Sequence, residues 1–189
     1  MNNDKSAPVP VDDPPAERIA AAVFLYGERG VIERSISLLR GGNEGEEFLL
    51  YVGGRHAQGV IDGAPPLYWP EVWGARAFNY VWHEDAATAV LRGLSDQAWR
   101  VREMCARVCL LRKIGTPPVL ARLLDDENER VRIAGARALG ELGDNTNTDA
   151  LTALLRDPEK EVRRAAQQSL VKLSARREPA VSVEAEAAE

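Results

Sequence analysis

Arg102, Arg132 and Arg163 recur at intervals of 30 and 31 residues. Each follows a valine and stands six positions after an aspartate, Asp96, Asp126 or Asp157. A second set, Arg76, Arg107 and Arg137, recurs at 31 and 30, with Gln168 in the fourth place. On a helix the five positions between the sets put the two rows about 140° apart. A guanidinium recognises carboxylate or phosphate through paired N–H donors. The first row has an acidic row to match it and is expected to brace the fold. The second has no acidic partner of equal regularity. It is expected to meet an acidic partner segment or a phosphate, with Arg100, Arg130, Glu103 and Ile133 beside it.

A second candidate is Arg55-His56-Ala57-Gln58-Gly59, followed by Asp62, Tyr68 and Trp69. It offers a cation, an imidazole, an amide, a carboxylate and aromatic surface in one glycine-rich stretch, which suits a peptide or small-molecule pocket. Other aromatics crowd nearby, and those on the helix expected over 69–82 should be used largely in packing. His83-Glu84 pairs ligand types that suit non-haem iron. The other histidine, His56, precedes an alanine, so no metal site is expected. Cys105 and Cys109 lie one turn apart on an apolar face and read as buried thiols. No phosphate loop, dinucleotide fingerprint or nucleophile elbow is present, so neither catalytic residues nor a cofactor is implied.

The elements that must position these groups are helices. Residues 126–142 place Val131, Ala134, Ala138 and Leu142 on one small-residue stripe, with Asp126 as a candidate cap and Gly143 as the stop. Val90, Leu120 and Leu151 keep the same register, as do Leu94, Leu124 and Leu155. Gly74-Ala75-Arg76-Ala77-Phe78 repeats Gly135-Ala136-Arg137-Ala138-Leu139 at a separation of 61, although Glu71 stands where the arginine belongs. A period near 30 with two helices per unit predicts an all-α fold, a short α-solenoid of stacked antiparallel hairpins. Helices are expected near 84–93, 97–113, 116–124, 128–142, 146–155 and 159–175. Two more, 16–26 and 31–39, would form a degenerate N-terminal cap. Residues 41–70 break the rhythm and read as an irregular Gly/Pro-rich insertion. Within it, Phe48–Val52 suits one or two helical turns or a strand.

The aspartate before the second helix, the Val-Arg pair and the alanine-rich run resemble HEAT-like repeats of the phycobilisome-lyase type, over about 83–175 and in part over 65–82. The resemblance implies a ladder between repeats, Asp96, Asp126 and Asp157 with Arg102, Arg132 and Arg163. It also implies binding on the concave face lined by the inner helices.

Charge narrows the partners. Residues 1–95 carry a net −5, residues 96–178 a net +3 and residues 179–189 a net −3. So mild a basic balance argues against a dedicated nucleic-acid binder. Few cysteines and no signal peptide suggest a cytoplasmic protein, and no apolar run is long enough to span a membrane. Residues 1–15 and 179–189 read as a disordered arm and a disordered acidic tail around a solenoid at 16–178, with its cap and insertion over 16–70 and regular repeats over 71–178. The function expected is a non-catalytic scaffold or adaptor that binds a protein or peptide, with a small molecule as a second class of ligand for the insertion. A lyase acting on a bilin and a nucleic-acid-binding repeat protein are the alternatives.

Overall fold

A computed structural model describes residues 8–176, and every regular element among them is helical. The acidic tail expected at 179–189 lies outside the described residues. The chain forms two compact units, Met1–Ile114 and Gly115–Glu189. The all-α expectation holds, and the fold class is the short α-solenoid.

In the first unit, α1 (Pro15–Leu39) breaks at Gly27, whose φ of 71° is open to glycine and costly for other residues. The break separates the two helices expected at 16–26 and 31–39. The insertion is less irregular than its glycines suggest. It contains α2 (Glu46–Gly53) and α3 (Arg55–Ile61), joined at Gly54. Gly54 has φ 62°, and a side chain there would collide with the Arg18 guanidinium. Two arginines hold the α2 C-terminus. Arg18 donates to the Tyr51 carbonyl at 3.0 Å and Arg76 to the Val52 carbonyl at 2.6 Å. Cations suit this end of a helix, where carbonyls lack partners and the dipole is negative. Burial pushes the pKa of both guanidinium groups down, and for Arg76 the nearby Arg18 charge adds to this.

Of the arm expected at 1–15, residues 8–14 lie against the first unit. Val11 accepts a backbone bond from Arg55 at 3.1 Å, and Arg55 also pairs with Asp12. α4 (Trp69–Ala77) packs against α1 and against α6 (Trp99–Arg112), which also receives α5 (Ala87–Gly93). Phe48, Trp73, Phe78, Val90, Val101 and Val108 fill this core. Cys105 and Cys109 are free thiols inside it, and burial pushes Cys109 up to about 12 and Cys105 well above the usual thiol range. Both are therefore un-ionised at neutral pH, as structural cysteines are.

In the second unit, α8 (Glu129–Leu142) packs against α7 (Pro117–Ala121) and α10 (Lys160–Ala175), and α9 (Thr148–Ala153) packs on α10. Val131, Ala134 and Ala138 are buried as the stripe requires. The α8 cap is Asn128, which accepts from the Arg130 N–H at 3.0 Å, and not Asp126. Asp126 instead folds the turn before it, accepting from the Asn128 N–H at 2.9 Å. Asp96 and Asp157 do the same for Ala98 and Glu159.

Each Val-Arg arginine then reaches back to two carbonyls of its own turn. Arg102 bonds those of Asp96 and Gln97, Arg132 those of Asp126 and Glu127, and Arg163 those of Asp157 and Pro158. Within the second unit Arg132 also grips Asp157 bidentately, at 2.8 and 3.1 Å. Both side chains are largely buried, at 13% and 6% exposed. This is one rung of the implied ladder.

The first unit holds the counter-example. Glu71 occupies the arginine position, 25 residues before Asp96, as Arg132 stands 25 before Asp157. Its Oε2 is buried and has no hydrogen-bond partner. Burial, and then the Asp96 charge, raise its pKa. A carboxyl with a raised folded pKa adds stability that is full below its unfolded pKa and lost as pH rises through the folded one. The wild-type first unit should therefore gain stability on mild acidification. Glu71→Arg should supply the missing rung and stabilise the protein by about 1–2 kcal/mol at neutral pH. Urea denaturation across pH 4–7.5, an order-of-magnitude window around the carboxylate range, checks both. A variant less stable than wild type at neutral pH would count against the rung.

Candidate functional site

The structure redistributes the candidate residues. Arg76 is turned inward to Val52 and presents no free guanidinium to a partner. The row of Arg76, Arg107 and Arg137 is therefore not three equivalent binding cations. Arg107 is exposed on α6, and in the second unit Arg130, Arg137 and Gln168 are exposed while Ile133 is half-buried. Arg107 and Arg137 have no ion-pair partner among the described residues.

The insertion set divides in the same way. Arg55 is committed to Asp12, and Gln58 bonds Asp62 one turn away at 2.9 Å. These three do not join the aromatics. His56, Tyr68 and Trp69 do gather, and the structure adds Trp73, Trp99 and Arg100. The His56 ring stands edge-on to Trp69, with centroids 4.4 Å apart, and to Trp73 at 5.3 Å. Trp69 stacks on Trp73 at an interplanar angle of 21°, and Tyr68 lies 5.5 Å from Trp69.

Arg100 completes this cluster from α6. Its guanidinium carbon sits 4.3 Å from the Trp99 ring centroid and 5.2 Å from that of Trp69. Its Nε donates to the Tyr68 hydroxyl at 3.3 Å. Such stacking fixes a planar cation at about 0.5–2 kcal/mol per contact. No carboxylate among the described residues pairs with it, so its terminal nitrogens still have donors to offer. Trp73 and Gly53 explain the local build. Trp73 is 1% exposed, and a side chain at Gly53 would collide with it, so α2 can approach α4 only with glycine there.

Arg100 and Arg107 are seven residues apart and share one face of α6, roughly 10 Å along the axis. Met104 and the exposed Leu111 lie on the same stripe, with Glu103 at its flank. That face can hold two carboxylates and cover apolar surface beside them. Trp99 was not among the expected aromatics. The signal for it was its place beside Arg100 at the start of α6. Among the described residues no group of His, Cys, Asp and Glu side chains could hold a metal, and no helix is long and apolar enough to cross a membrane.

These features define an α-helical repeat protein with an arginine held in an aromatic cradle. More particularly, part of the chain is similar to HEAT repeats. Residues 87–171 match the family model for HEAT repeats. The fold is similar to the crystal structure of an engineered protein from the Northeast Structural Genomics Consortium, with a TM-score of 0.52 and 16% identity over 87% of this chain and 86% of that one. At that identity the likeness speaks for the fold alone. No curated protein matches the sequence. HEAT repeats generally serve as protein-interaction scaffolds, and neither similarity narrows the chain to the phycobilisome-lyase type.

Proposed function

We propose that the protein is a non-catalytic adaptor that holds an acidic protein or peptide segment against the exposed face of α6. The observation that carries this reading is Arg100, oriented by Trp69, Trp99 and Tyr68 and with no carboxylate partner among the described residues. A guanidinium already fixed in place loses little freedom on binding, and its remaining donors match a carboxylate. Arg107 supplies a second cation at a spacing that three residues of extended peptide cover, at about 3.3 Å each. The tryptophans give apolar contact to the side chains between.

The test is a fluorescein-labelled hexaglutamate peptide added to the whole protein and followed by anisotropy. Binding should weaken about tenfold in Arg100→Ala and again in Arg107→Glu, and fade as salt rises. Arg92→Ala, which removes an exposed cation elsewhere in the same unit, should leave it unchanged. Trp69 and Trp99 fluorescence should respond in the wild type and not in Arg100→Ala. Affinity indifferent to Arg100→Ala, with helical circular dichroism intact, would overturn the reading.

A further inference from the structure

The first unit contains a second concave feature, a cleft of about 270 Å³ between the later half of α1 and the turn at 82–85. Its apolar side is Ile32, Ile36 and Trp82, and its rim carries the carboxylates of Glu28, Glu33 and Asp85. We propose that this cleft receives the side chain of an arginine or lysine from a basic partner segment. The proposal goes beyond the acidic partner of α6, because the ligand has the opposite charge and the residues are different.

Size and chemistry both fit. The volume is below the roughly 300–1,000 Å³ typical of small-molecule sites and suits a single long side chain. Lysine and arginine carry an apolar stem beneath a charged head, which matches an apolar wall under an acidic rim. The rim already holds a guanidinium from within the chain. Arg29 bonds Glu33 at 2.8 Å and reaches Asp85 at 3.7 Å, which bridges α1 to the turn. Those groups are 72%, 62% and 58% exposed. Pairs as open as these contribute little to stability and exchange readily. Arg29 therefore occupies the rim as a weak internal ligand that a partner cation can displace. Trp82 suits the same chemistry, since the Arg112 guanidinium already lies 5.6 Å from its ring centroid. His83 lines the cleft too. Its Nδ1 accepts from the Asp85 N–H at 3.3 Å, which holds the turn that presents Asp85.

The probe is a blocked tetrapeptide bearing two arginines, with its citrulline counterpart as an uncharged twin, titrated into the full chain. The readout is the NMR shift of the Trp82 indole N–H, assigned with Trp82→Phe. The arginine peptide should shift it and the citrulline peptide should not. Arg29→Ala should tighten binding about threefold, whereas Arg92→Ala should not. Glu28→Gln with Glu33→Gln should weaken it about tenfold, and Glu17→Gln, which removes a carboxylate from the other half of α1, should have no effect. Arg100→Ala should leave this titration unchanged. The proposal fails if neither peptide shifts Trp82, if both do so equally, or if the Arg92 and Glu17 controls reproduce the effects of the cleft variants.

Discussion

Arg132→Ala is expected to lower the stability of the second unit by about 3–5 kcal/mol at neutral pH, the usual cost of stripping one partner from a buried ion pair. The loss has two sources. The Asp157 carboxylate stays buried with only the Glu159 N–H to satisfy it, and the carbonyls of Asp126 and Glu127 lose their shared donor. The first source depends on pH. In the folded wild type, burial pushes the Asp157 pKa up, but the bonds from Arg132 and the Glu159 N–H outweigh it and hold the carboxyl below its usual range. A depressed folded pKa gives stability that is present above the unfolded pKa, near 3.9, and lost as pH falls through the folded value. In the variant the burial remains while the main opposing donors have gone, so the carboxyl moves up. The gap between wild type and variant should therefore be widest at neutral pH and narrow steadily in acid. The two lost carbonyl bonds, about 1 kcal/mol each, should set its floor. Arg132→Lys should fall between, because an ammonium cannot grip the carboxylate bidentately while also reaching two carbonyls. Urea unfolding with hydrogen exchange at α8 and α10 measures the gap. A difference that stays constant with pH would mean that the rung is not electrostatic.

The two units should respond to acid in opposite directions. The Asp157 rung weakens in acid, whereas the Glu71 site strengthens. Both follow from one repeat position occupied by opposite charges. The sequence displayed that position plainly, because the aspartate, the Val-Arg pair and their spacing are all local. It also displayed the helices after residue 84, whose apolar spacing is strict. What it concealed were contacts set by neighbouring elements. Gly53, Gly54 and Gly59 made 41–70 look broken, yet α2 and α3 form there because Arg18 and Arg76 satisfy the carbonyls at the α2 C-terminus and Gly54 turns the chain between them. That inward role for Arg76 removed it from a row that looked regular along the chain. The candidate site was half legible. His56, Tyr68 and Trp69 stood out as a polar-aromatic group, and Arg100 through its place beside the arginine row. Nothing in either pattern joined the two, because Arg100 meets Trp69 only through the packing of α6 on α4.

The same packing sets the second large effect, an exchange of volume between two repeats. Gly135 on α8 faces Leu123, and a Cβ at Gly135 would stand 2.6 Å from the Leu123 Cβ. Thirty residues earlier the pair is reversed in size. Cys105 on α6 faces Gly93, and a Cβ at Gly93 would collide with the Cys105 sulfur. Each hairpin thus keeps one small partner at this crossing, on opposite helices, and the close approach of the helices survives. Gly93→Leu should destabilise the first unit by about 3 kcal/mol, because the new side chain has nowhere to go in a filled core. Cys105→Gly alone should cost about 1–2 kcal/mol, from a small cavity and a glycine within a helix. The two together recreate the Leu123–Gly135 arrangement, and the double variant should be more stable than Gly93→Leu alone. That result is a favourable coupling of about 2 kcal/mol in a double-mutant cycle. Additive losses would show that the crossing tolerates only the pair it has, and that the likeness between repeats at this position is one of spacing and not of packing.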